Sequence, residues 1–326
     1  MKTRRTTELM KVRFTLNIKS AGIRLDQALL EEIRSKLPSL SRQTLKRCFK
    51  DKTIFLNHRP SQACEASHIL PIGNHEIEIR GISEIAFADP KAMHSPRGCF
   101  LPNMYEDRDL LILHKKSGTP SLPLSPHETE TAVNAALAHA PEIAGVGRGG
   151  LEPGLLHRLD TGTSGLLVFA KTMAEYKRLR TLWKNGKVEK RYRAIVTVQE
   201  GAQTLDDLPM TLTFPLAHDR KSSKKMVAYL ASSKIRGKPL PAETIILKAK
   251  ELSPPRRGHL DLEIQIHTGV MHQIRCHLST IGWPIVGDPI YGGSPADRLW
   301  LHAWKLKIPL RSGTVLSLEA QLPQLF

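Results

Sequence analysis

The stretch LLHRLDTGTSGLLVFAK, residues 155–171, is the part of the chain that best indicates its fold. It ends in an apolar run, residues 166–170, with the length and composition of a buried strand. The six residues before this run include Gly162 and Gly165 and predict a tight turn. Because a strand held in a core fixes the turn beside it, this turn would present the carboxylate of Asp160 rigidly, as catalysis requires.

Taken alone, Asp160 has a simpler interpretation. An Asp before Thr-Gly most often accepts hydrogen bonds from its own backbone, and the local pattern favours this turn role. The glycines do not indicate a phosphate-binding loop, because the G-x-x-x-x-G-K-[ST] spacing is absent. The local pattern therefore leaves a catalytic role for Asp160 open without establishing it.

The same stretch resembles the signature segment of the RluA-type RNA pseudouridine synthases, whose nucleophilic Asp lies in an H-R-L-D-x-x-T-S-G pattern. The matching residues are His157, Arg158, Leu159, Asp160, Thr163, Ser164 and Gly165. The resemblance implies that Asp160 is the catalytic residue. It also implies that His157, Arg158, Thr163 and Ser164 contact the substrate.

The composition agrees with a folded, RNA-binding protein. The chain has 326 residues, enough for about two domains, and a formal net charge of +17. Such a surplus implies a polyanionic partner, either nucleic acid or an anionic membrane. No apolar run reaches the roughly 20 residues needed to cross a bilayer, and the N-terminus has no secretory signal pattern. We therefore expect a cytoplasmic protein with no membrane partner.

The cysteines and histidines do not predict a metal site. The four cysteines, Cys48, Cys64, Cys99 and Cys276, are scattered and form no C-x-x-C pair. This spacing argues against zinc and against a disulfide scaffold, and it fits a reducing compartment. No H-E-x-x-H motif occurs among the 14 histidines.

The first 60 residues hold 15 Lys or Arg and 5 Asp or Glu, a surplus of ten positive charges. Apolar spacing predicts one helix at residues 24–37 and a second, strongly basic helix at residues 42–50. The order of these elements resembles the small RNA-binding module named after ribosomal protein S-four, through RLDQAL, SRQTLKR, IFLNHRP and GNHEIEI. The candidate phosphate contacts on the second helix are Arg42, Lys46, Arg47 and Lys50. The alternative is an ordinary solvated helix.

We predict three segments. Residues 1–82 form the S-four-like module with a basic N-terminal arm, residues 83–102 form a linker that contains prolines, and residues 103–326 form the catalytic domain. By resemblance the fold class is α+β. The catalytic domain should have a mixed, largely antiparallel sheet flanked by helices, with the active cleft across its middle.

Two further segments resemble family motifs. Lys190, Tyr192 and Ala194 match K-x-Y-x-A, which implies that Tyr192 closes over the target base and assists proton transfer, although a lone strand Tyr is usually a core aromatic. Residues 215–226 form a predicted basic loop whose cations are candidate phosphate contacts or simply solvated charges. These cations are Arg220, Lys221, Lys224 and Lys225.

The segment HTGVMHQIRCHL, residues 267–278, resembles T-G-R-T-H-Q-I-R-x-H-L. Val270 and Met271 replace the usual Arg-Thr, a departure that bears on substrate choice. Arg275 is retained, and by resemblance it pairs with Asp160, although alone it would be interpreted as a surface cation. The resemblance also places His272, Gln273 and, in the closing L-H-A strand, Leu301 at the substrate.

The implied reaction converts uridine in RNA to pseudouridine. A sugar carbon that loses its base develops oxocarbenium character, which a nearby carboxylate stabilises or traps. The reaction has no redox step, so we expect no cofactor or metal, and we expect a monomer. Ribosomal RNA is favoured and tRNA is the alternative. Two other hypotheses are an RNA-binding or ribosome-assembly protein without catalysis, supported by Val270 and Met271, and a nucleoside hydrolase, which the basic N-terminal module disfavours.

Overall fold

The structure is a computed structural model. It describes residues 9–36, 42–57, 64–83, 100–125, 127–147, 150–202, 208–230, 233–253 and 258–324. Across these ranges, no helix is both long and apolar enough to span a bilayer.

The N-terminal part is a small antiparallel sheet packed against two helices. Its elements are β1 (Leu9–Ile18), β2 (Ile23–Arg24), α1 (Leu25–Lys36), α2 (Arg42–Lys50), β3 (Ile54–Leu56), β4 (Ile69–Leu70) and β5 (Gly73–Ser83). The sheet order is β1-β5-β3, and Leu25, Leu29 and Leu45 of the helices are buried against its inner face. Both predicted helices are therefore present, the first with slightly shorter bounds.

The predicted contacts on α2 are described only in part. Lys46 and Lys50 are exposed, as a phosphate-binding face requires, whereas the side chains of Arg42 and Arg47 lie outside the described residues. Most of the predicted linker at 83–102 also lies outside them, so the domain division stays a prediction. The RNA-binding role of this module stays a prediction too.

The larger part is built on one central sheet. Its strands and helices are β6 (Asn103–Glu106), β7 (Leu110–Lys115), α3 (Ala132–His139), β8 (Ser164–Ala170), α4 (Met173–Lys184), β9 (Glu189–Thr197), β10 (Met210–Leu212), β11 (Leu216–Asp219), β12 (Met226–Ala228), β13 (Ile235–Leu240), β14 (Thr244–Glu251), β15 (His259–Ile266), α5 (Gln273–Thr280), β16 (Leu301–Pro309) and β17 (Val315–Glu319). Within the described residues, nine strands form this sheet in the order β10-β14-β15-β9-β16-β8-β7-β6, and β17 pairs with β16. Of the pairs in it, only β16–β8 is parallel. The predicted mixed, largely antiparallel sheet is confirmed.

Strand β8 lies between two cores, which is why its sequence is continuously apolar. All seven of its residues are buried. Leu167 and Phe169 belong to the hydrophobic cluster that includes α3, and Leu166 and Val168 belong to the cluster that includes α4. This burial on both faces anchors the start of β8, and so it anchors the turn that carries Asp160.

The parallel pairing requires a glycine at the start of β8. Gly165 has φ +117° and pairs with Ala303, and a Cβ at Gly165 would lie 2.7 Å from the Ala303 nitrogen. No ordinary side chain fits there. Ala303 also pairs with Tyr192 of β9 on its other side, so one row across the sheet connects the Asp160 turn to Tyr192.

The segment predicted as a basic loop at 215–226 is instead mostly a hairpin. Strands β11 and β12 flank a short turn and pair with each other, and β13 completes a second, three-stranded sheet within the described residues. Leu216 and Met226 of this hairpin are buried against α5, which explains why it is ordered rather than an open loop.

Candidate active site

The turn that carries Asp160 is held by hydrogen bonds to its backbone. Thr163 N–H donates to the Asp160 carbonyl at 3.0 Å and closes the turn. Ser121 donates through Oγ to the Leu159 carbonyl at 2.6 Å and accepts from Leu159 N–H at 3.0 Å. Ser117 Oγ donates to the Gly162 carbonyl at 2.7 Å. The position of Asp160 is thus fixed from both sides of the turn.

A fully buried lysine completes this support. The ammonium of Lys115 donates to the backbone carbonyls of Thr119 at 2.6 Å and of Lys116 and Thr161 at 3.1 Å each. A buried cation must be compensated by hydrogen bonds, and these three carbonyls do so. Lys115 therefore ties the end of β7 to the residue that follows Asp160.

Arg275 of α5 contacts Asp160 and a second carboxylate. Its Nη1 donates to Asp160 Oδ2 at 2.8 Å, while Nε and Nη2 donate to the two oxygens of Asp288 at 2.7 and 2.9 Å. Burial alone would lower the pKa of Arg275, but the hydrogen bonds to Asp288 and Asp160 outweigh it and raise the pKa. The predicted pairing of Arg275 with Asp160 is therefore present in the structure.

The two carboxylates differ in access. The Asp288 side chain is 0% exposed and also accepts hydrogen bonds from the backbone N–H groups of Ile290 and Tyr291. The Asp160 side chain is 27% exposed. Of the two carboxylates that accept hydrogen bonds from Arg275, only that of Asp160 is accessible to a substrate.

Tyr192 and His272 stand near this carboxylate. Burial raises the pKa of Tyr192, and the negative charge of Asp160 raises it further. His272 Nε2 lies 3.7 Å from Asp160 Oδ2. Burial lowers the pKa of His272, although the charge of Asp160 opposes this.

Three of the predicted substrate contacts are buried and serve the scaffold in this structure. Thr163, Ser164 and Gln273 are each at most 3% exposed. Ser164 Oγ lies 2.6 Å from His302 Nδ1 and accepts from Arg298 Nη2 at 2.5 Å. The Gln273 amide donates to the Glu243 carbonyl at 2.8 Å. Because the Ser164 hydroxyl and the Gln273 amide already have hydrogen-bond partners, the geometry does not favour their direct contact with RNA.

His157 also differs from its predicted role. Its ring stacks on Trp183 of α4 with centroids 5.1 Å apart, and its Nε2 accepts from Val168 N–H at 3.3 Å. Burial, together with the charge of Lys190, lowers the pKa of His157 to about 3, so the ring is neutral. The structure places this side chain against α4 and β8, whereas the neighbouring Arg158 is exposed. Leu301 is buried in the same cluster as Tyr192 and lines the core beside it.

The basic hairpin reaches the site through Tyr291. Arg220, Lys221 and Lys224 are exposed at its turn. Lys225 Nζ lies 5.6 Å from the centroid of the Tyr291 ring, and the Arg275 guanidinium lies 5.3 Å from the same ring. Of the candidate phosphate contacts, Lys225 therefore shares the Tyr291 ring with Arg275.

Val270 and Met271 line the loop that leads into His272. Both are half-buried and pack with Phe214 and Ile290 against the core under the hairpin. The unusual pair thus has a packing role, and it leaves the contact between Arg275 and Asp160 in place.

Three residues of the site had no role assigned from the sequence: Lys115, Asp288 and Tyr291. Asp288 and Tyr291 stand in the run IGWPIVGDPIY, residues 281–291, whose Gly-Asp-Pro pattern was the available signal. Within the described residues, no group of three or more His, Cys, Asp or Glu side chains is placed to hold a metal ion.

Comparison with known proteins gives a consistent result. A family model described as RNA pseudouridylate synthase matches residues 109–280. The chain is 29% identical to ribosomal large subunit pseudouridine synthase D of Escherichia coli strain K12, over 95% of this chain and 90% of that protein. It is 30% identical to the protein of the same name from Zymomonas mobilis, over 95% of this chain and 93% of that one.

Two solved structures share the fold. Human RNA pseudouridylate synthase domain containing 1 aligns with a TM-score of 0.54 at 22% identity, covering 68% of this chain and 83% of that one. Human RNA pseudouridylate synthase domain containing 4 aligns with a TM-score of 0.51 at 23% identity, covering 73% and 92%.

Proposed function

We propose, from the premise that this chain belongs to the RNA pseudouridylate synthase family and is an RNA pseudouridine synthase, that Asp160 is its catalytic carboxylate and that large-subunit ribosomal RNA is its substrate. The observation that carries the first part is the contact between Arg275 and Asp160, in which Asp160 is the accessible member of two carboxylates on one guanidinium.

The chemistry needs one ionised carboxylate at the ribose. The N1–C1′ bond of uridine breaks, the uracil turns, C5 bonds to C1′, and the C5 hydrogen is lost while N1 gains one. Arg275 orients the Asp160 carboxylate, so that it can add to C1′ or take a proton from C2′. Either step stabilises the electron-poor sugar when the base leaves.

Tyr192 is proposed to pack against the flipped base and to assist proton movement. It lies on β9, separated from the start of β8 by the single strand β16, and burial raises the pKa of its hydroxyl, which stays protonated at neutral pH. Extrusion of a nucleotide costs a few kcal/mol in a duplex and less in a loop, so a loop or junction uridine is the expected target. Arg158 and the hairpin cations are proposed to hold the flanking phosphates.

The choice of ribosomal RNA rests on the relatives and the basic N-terminal module. Relatives named for the ribosomal large subunit match 95% of this chain, which includes most of the module. A substrate of this kind places the enzyme in the cytoplasm, and we propose that it acts as a monomer without a cofactor. The packing of Val270 and Met271 gives no support to loss of catalysis, because the Asp160–Arg275 contact is intact.

The experiment is to map pseudouridine in total RNA from cells that lack the protein, from cells that carry wild type, and from cells that carry Asp160→Ala. We expect one or a few large-subunit uridines to be modified only with wild type. Modification confined to tRNA would overturn the substrate assignment, and equal modification with Asp160→Ala would overturn the role of Asp160.

A further inference from the structure

The Tyr291 hydroxyl lies between a backbone donor and a histidine. Its oxygen accepts from the Met226 N–H at 2.8 Å and lies 3.2 Å from Nδ1 of His272. A phenol that accepts one hydrogen bond still has its own hydrogen to donate. Burial raises the pKa of Tyr291, so this hydrogen is retained at physiological pH. The hydroxyl is therefore set to donate to Nδ1.

This hydrogen bond fixes the tautomer of His272. Burial lowers the pKa of His272, so the ring is neutral at pH 7. A neutral imidazole that accepts at Nδ1 carries its hydrogen at Nε2. Nε2 is the atom that lies 3.7 Å from Asp160 Oδ2. That separation is longer than a hydrogen bond, and a small rotation of the half-buried carboxylate would close it.

The backbone of His272 supports a positional role. This residue has φ 54° and ψ 22°, in the left-handed region that non-glycine residues rarely adopt. It is the N-cap of α5, yet its side chain makes no capping hydrogen bond. The strained backbone instead turns the ring towards Asp160 and Tyr291.

The two oxygens of Asp160 then have different surroundings. Arg275 Nη1 at 2.8 Å and His272 Nε2 at 3.7 Å both face Oδ2. Among the hydrogen bonds and ion pairs of the described residues, none reaches Oδ1. One oxygen is engaged by the protein, and the Asp160 side chain as a whole is 27% exposed.

We propose that Tyr291 and His272 are a pair of positioning residues, in which Tyr291 holds the ring with Nε2–H towards Oδ2, so that Oδ1 is the oxygen that meets the ribose. This inference rests on the proposed function, in which Asp160 is the reacting carboxylate. The charged and titratable groups that act on His272 besides Tyr291 are Asp160, Arg275, Asp288 and His218.

The direct test is the tautomer of His272 in the full-length protein without RNA. Protein labelled with ¹⁵N-histidine would be compared as wild type, Tyr291→Phe and His272→Asn, the last identifying the His272 signals by their loss. We expect the Nε2–H tautomer in wild type and a mixture of tautomers in Tyr291→Phe. A proton on Nδ1 in wild type, or an unchanged tautomer in Tyr291→Phe, would overturn the inference whether or not Asp160 does the chemistry.

A kinetic test separates positioning from folding. Tyr291→Phe keeps the ring beside Arg275 and removes both hydrogen bonds of the hydroxyl, the one to His272 and the one from Met226 N–H. We expect kcat to fall about 10-fold with KM changed less than about twofold. The matched control is Tyr105→Phe, which loses a 2.7 Å hydrogen bond to Asp107 at the β6 edge of the sheet and should keep kcat. An equal loss in both variants, or a rise in KM alone, would overturn the inference. Wild type inactive on every RNA would instead contradict the proposed function.

Discussion

Asp288 and Arg275 form a buried two-point ion pair, and this pair aims Nη1 of Arg275 at Asp160. The guanidinium is planar and rigid, so two bonds to Asp288, at 2.7 and 2.9 Å, fix the direction of Nη1. The Asp160 carboxylate, 115 positions away in sequence, lies 2.8 Å along that direction. A buried carboxylate and an accessible one thus share a single arginine.

The two carboxylates should respond differently to the same substitution. We expect Asp288→Asn to lower the free energy of unfolding by about 3 kcal/mol, because it removes the main charge partner of a buried guanidinium. Asp160→Asn removes a half-buried partner and should cost less than about 1 kcal/mol. Urea unfolding of both variants measures this difference, and equal losses would contradict the division of roles.

Lys190 should make stability depend on pH in the alkaline range. Burial lowers the pKa of Lys190 to about 8, and its ammonium has one carbonyl, that of Thr268, at 3.4 Å. The unfolded pKa is near 10.4, so the unfolded chain binds more protons between pH 8 and 10.4, and this contribution to stability rises with pH. Below pH 8 the Lys190 ammonium is charged in the folded protein, so the full free-energy cost of burying that charge is present.

We therefore expect Lys190→Met to be more stable than wild type by on the order of 2–3 kcal/mol at pH 7, a gain that shrinks below about 1 kcal/mol at pH 10. Lys187→Met, at an exposed position, is the control and should show no such trend. Denaturation at the two pH values checks this, and a constant gain would refute the assignment of a lowered pKa to Lys190.

Substitutions of the neighbouring residues His157 and Arg158 should affect different properties, protein stability at His157 and the KM for RNA at Arg158. His157→Phe keeps an aromatic ring on Trp183 but removes the acceptor for Val168 N–H, so we expect a loss of about 1–2 kcal/mol of stability with KM unchanged. Arg158→Ala should leave stability within about 0.5 kcal/mol and raise KM for RNA severalfold. Thermal unfolding and steady-state kinetics separate the two, and a higher KM in His157→Phe would restore its predicted contact with substrate.

The basic hairpin should carry a salt-dependent part of RNA affinity. We expect the double variant Lys221→Ala and Lys224→Ala to reduce the slope of log affinity against log salt by about 1.4–1.8, since each of the two phosphate contacts contributes about 0.7–0.9. The control is Lys177→Ala with Lys187→Ala, at exposed positions on α4 and just after it. Equal slopes for the two double variants would remove the hairpin from the RNA interface.

Part of this arrangement could be predicted from the sequence. The apolar run of β8, the glycine turn before it and α2 follow from local pattern, because each is decided by neighbours in sequence. The pairing of Asp160 with Arg275 was predicted only from the resemblance. The local pattern alone indicated a turn residue at Asp160 and a surface cation at Arg275. Their contact depends on how α5 packs beside β12 and β14, which no local rule encodes.

There are also physical reasons why some side chains have contacts that the sequence did not predict. A lysine at the end of a strand, such as Lys115, normally reaches solvent, and only the folded loops reveal three carbonyls around its ammonium. The resemblance implied that His157 contacts the substrate, whereas in the structure its ring stacks on Trp183 of α4. Ser164 and Gln273 lie in segments that resemble family motifs, and in the structure their side chains hydrogen-bond to other parts of the fold. A motif does not distinguish this role from contact with substrate.

The most direct measurement of the central claim is tritium release from RNA that carries tritium at C5 of uridine, with wild type and Asp160→Ala at equal concentrations of folded protein. Pseudouridine formation must release the C5 hydrogen, so we predict release by wild type and none above background by Asp160→Ala. Release at equal rates by the two proteins would contradict the assignment of Asp160 as the catalytic carboxylate.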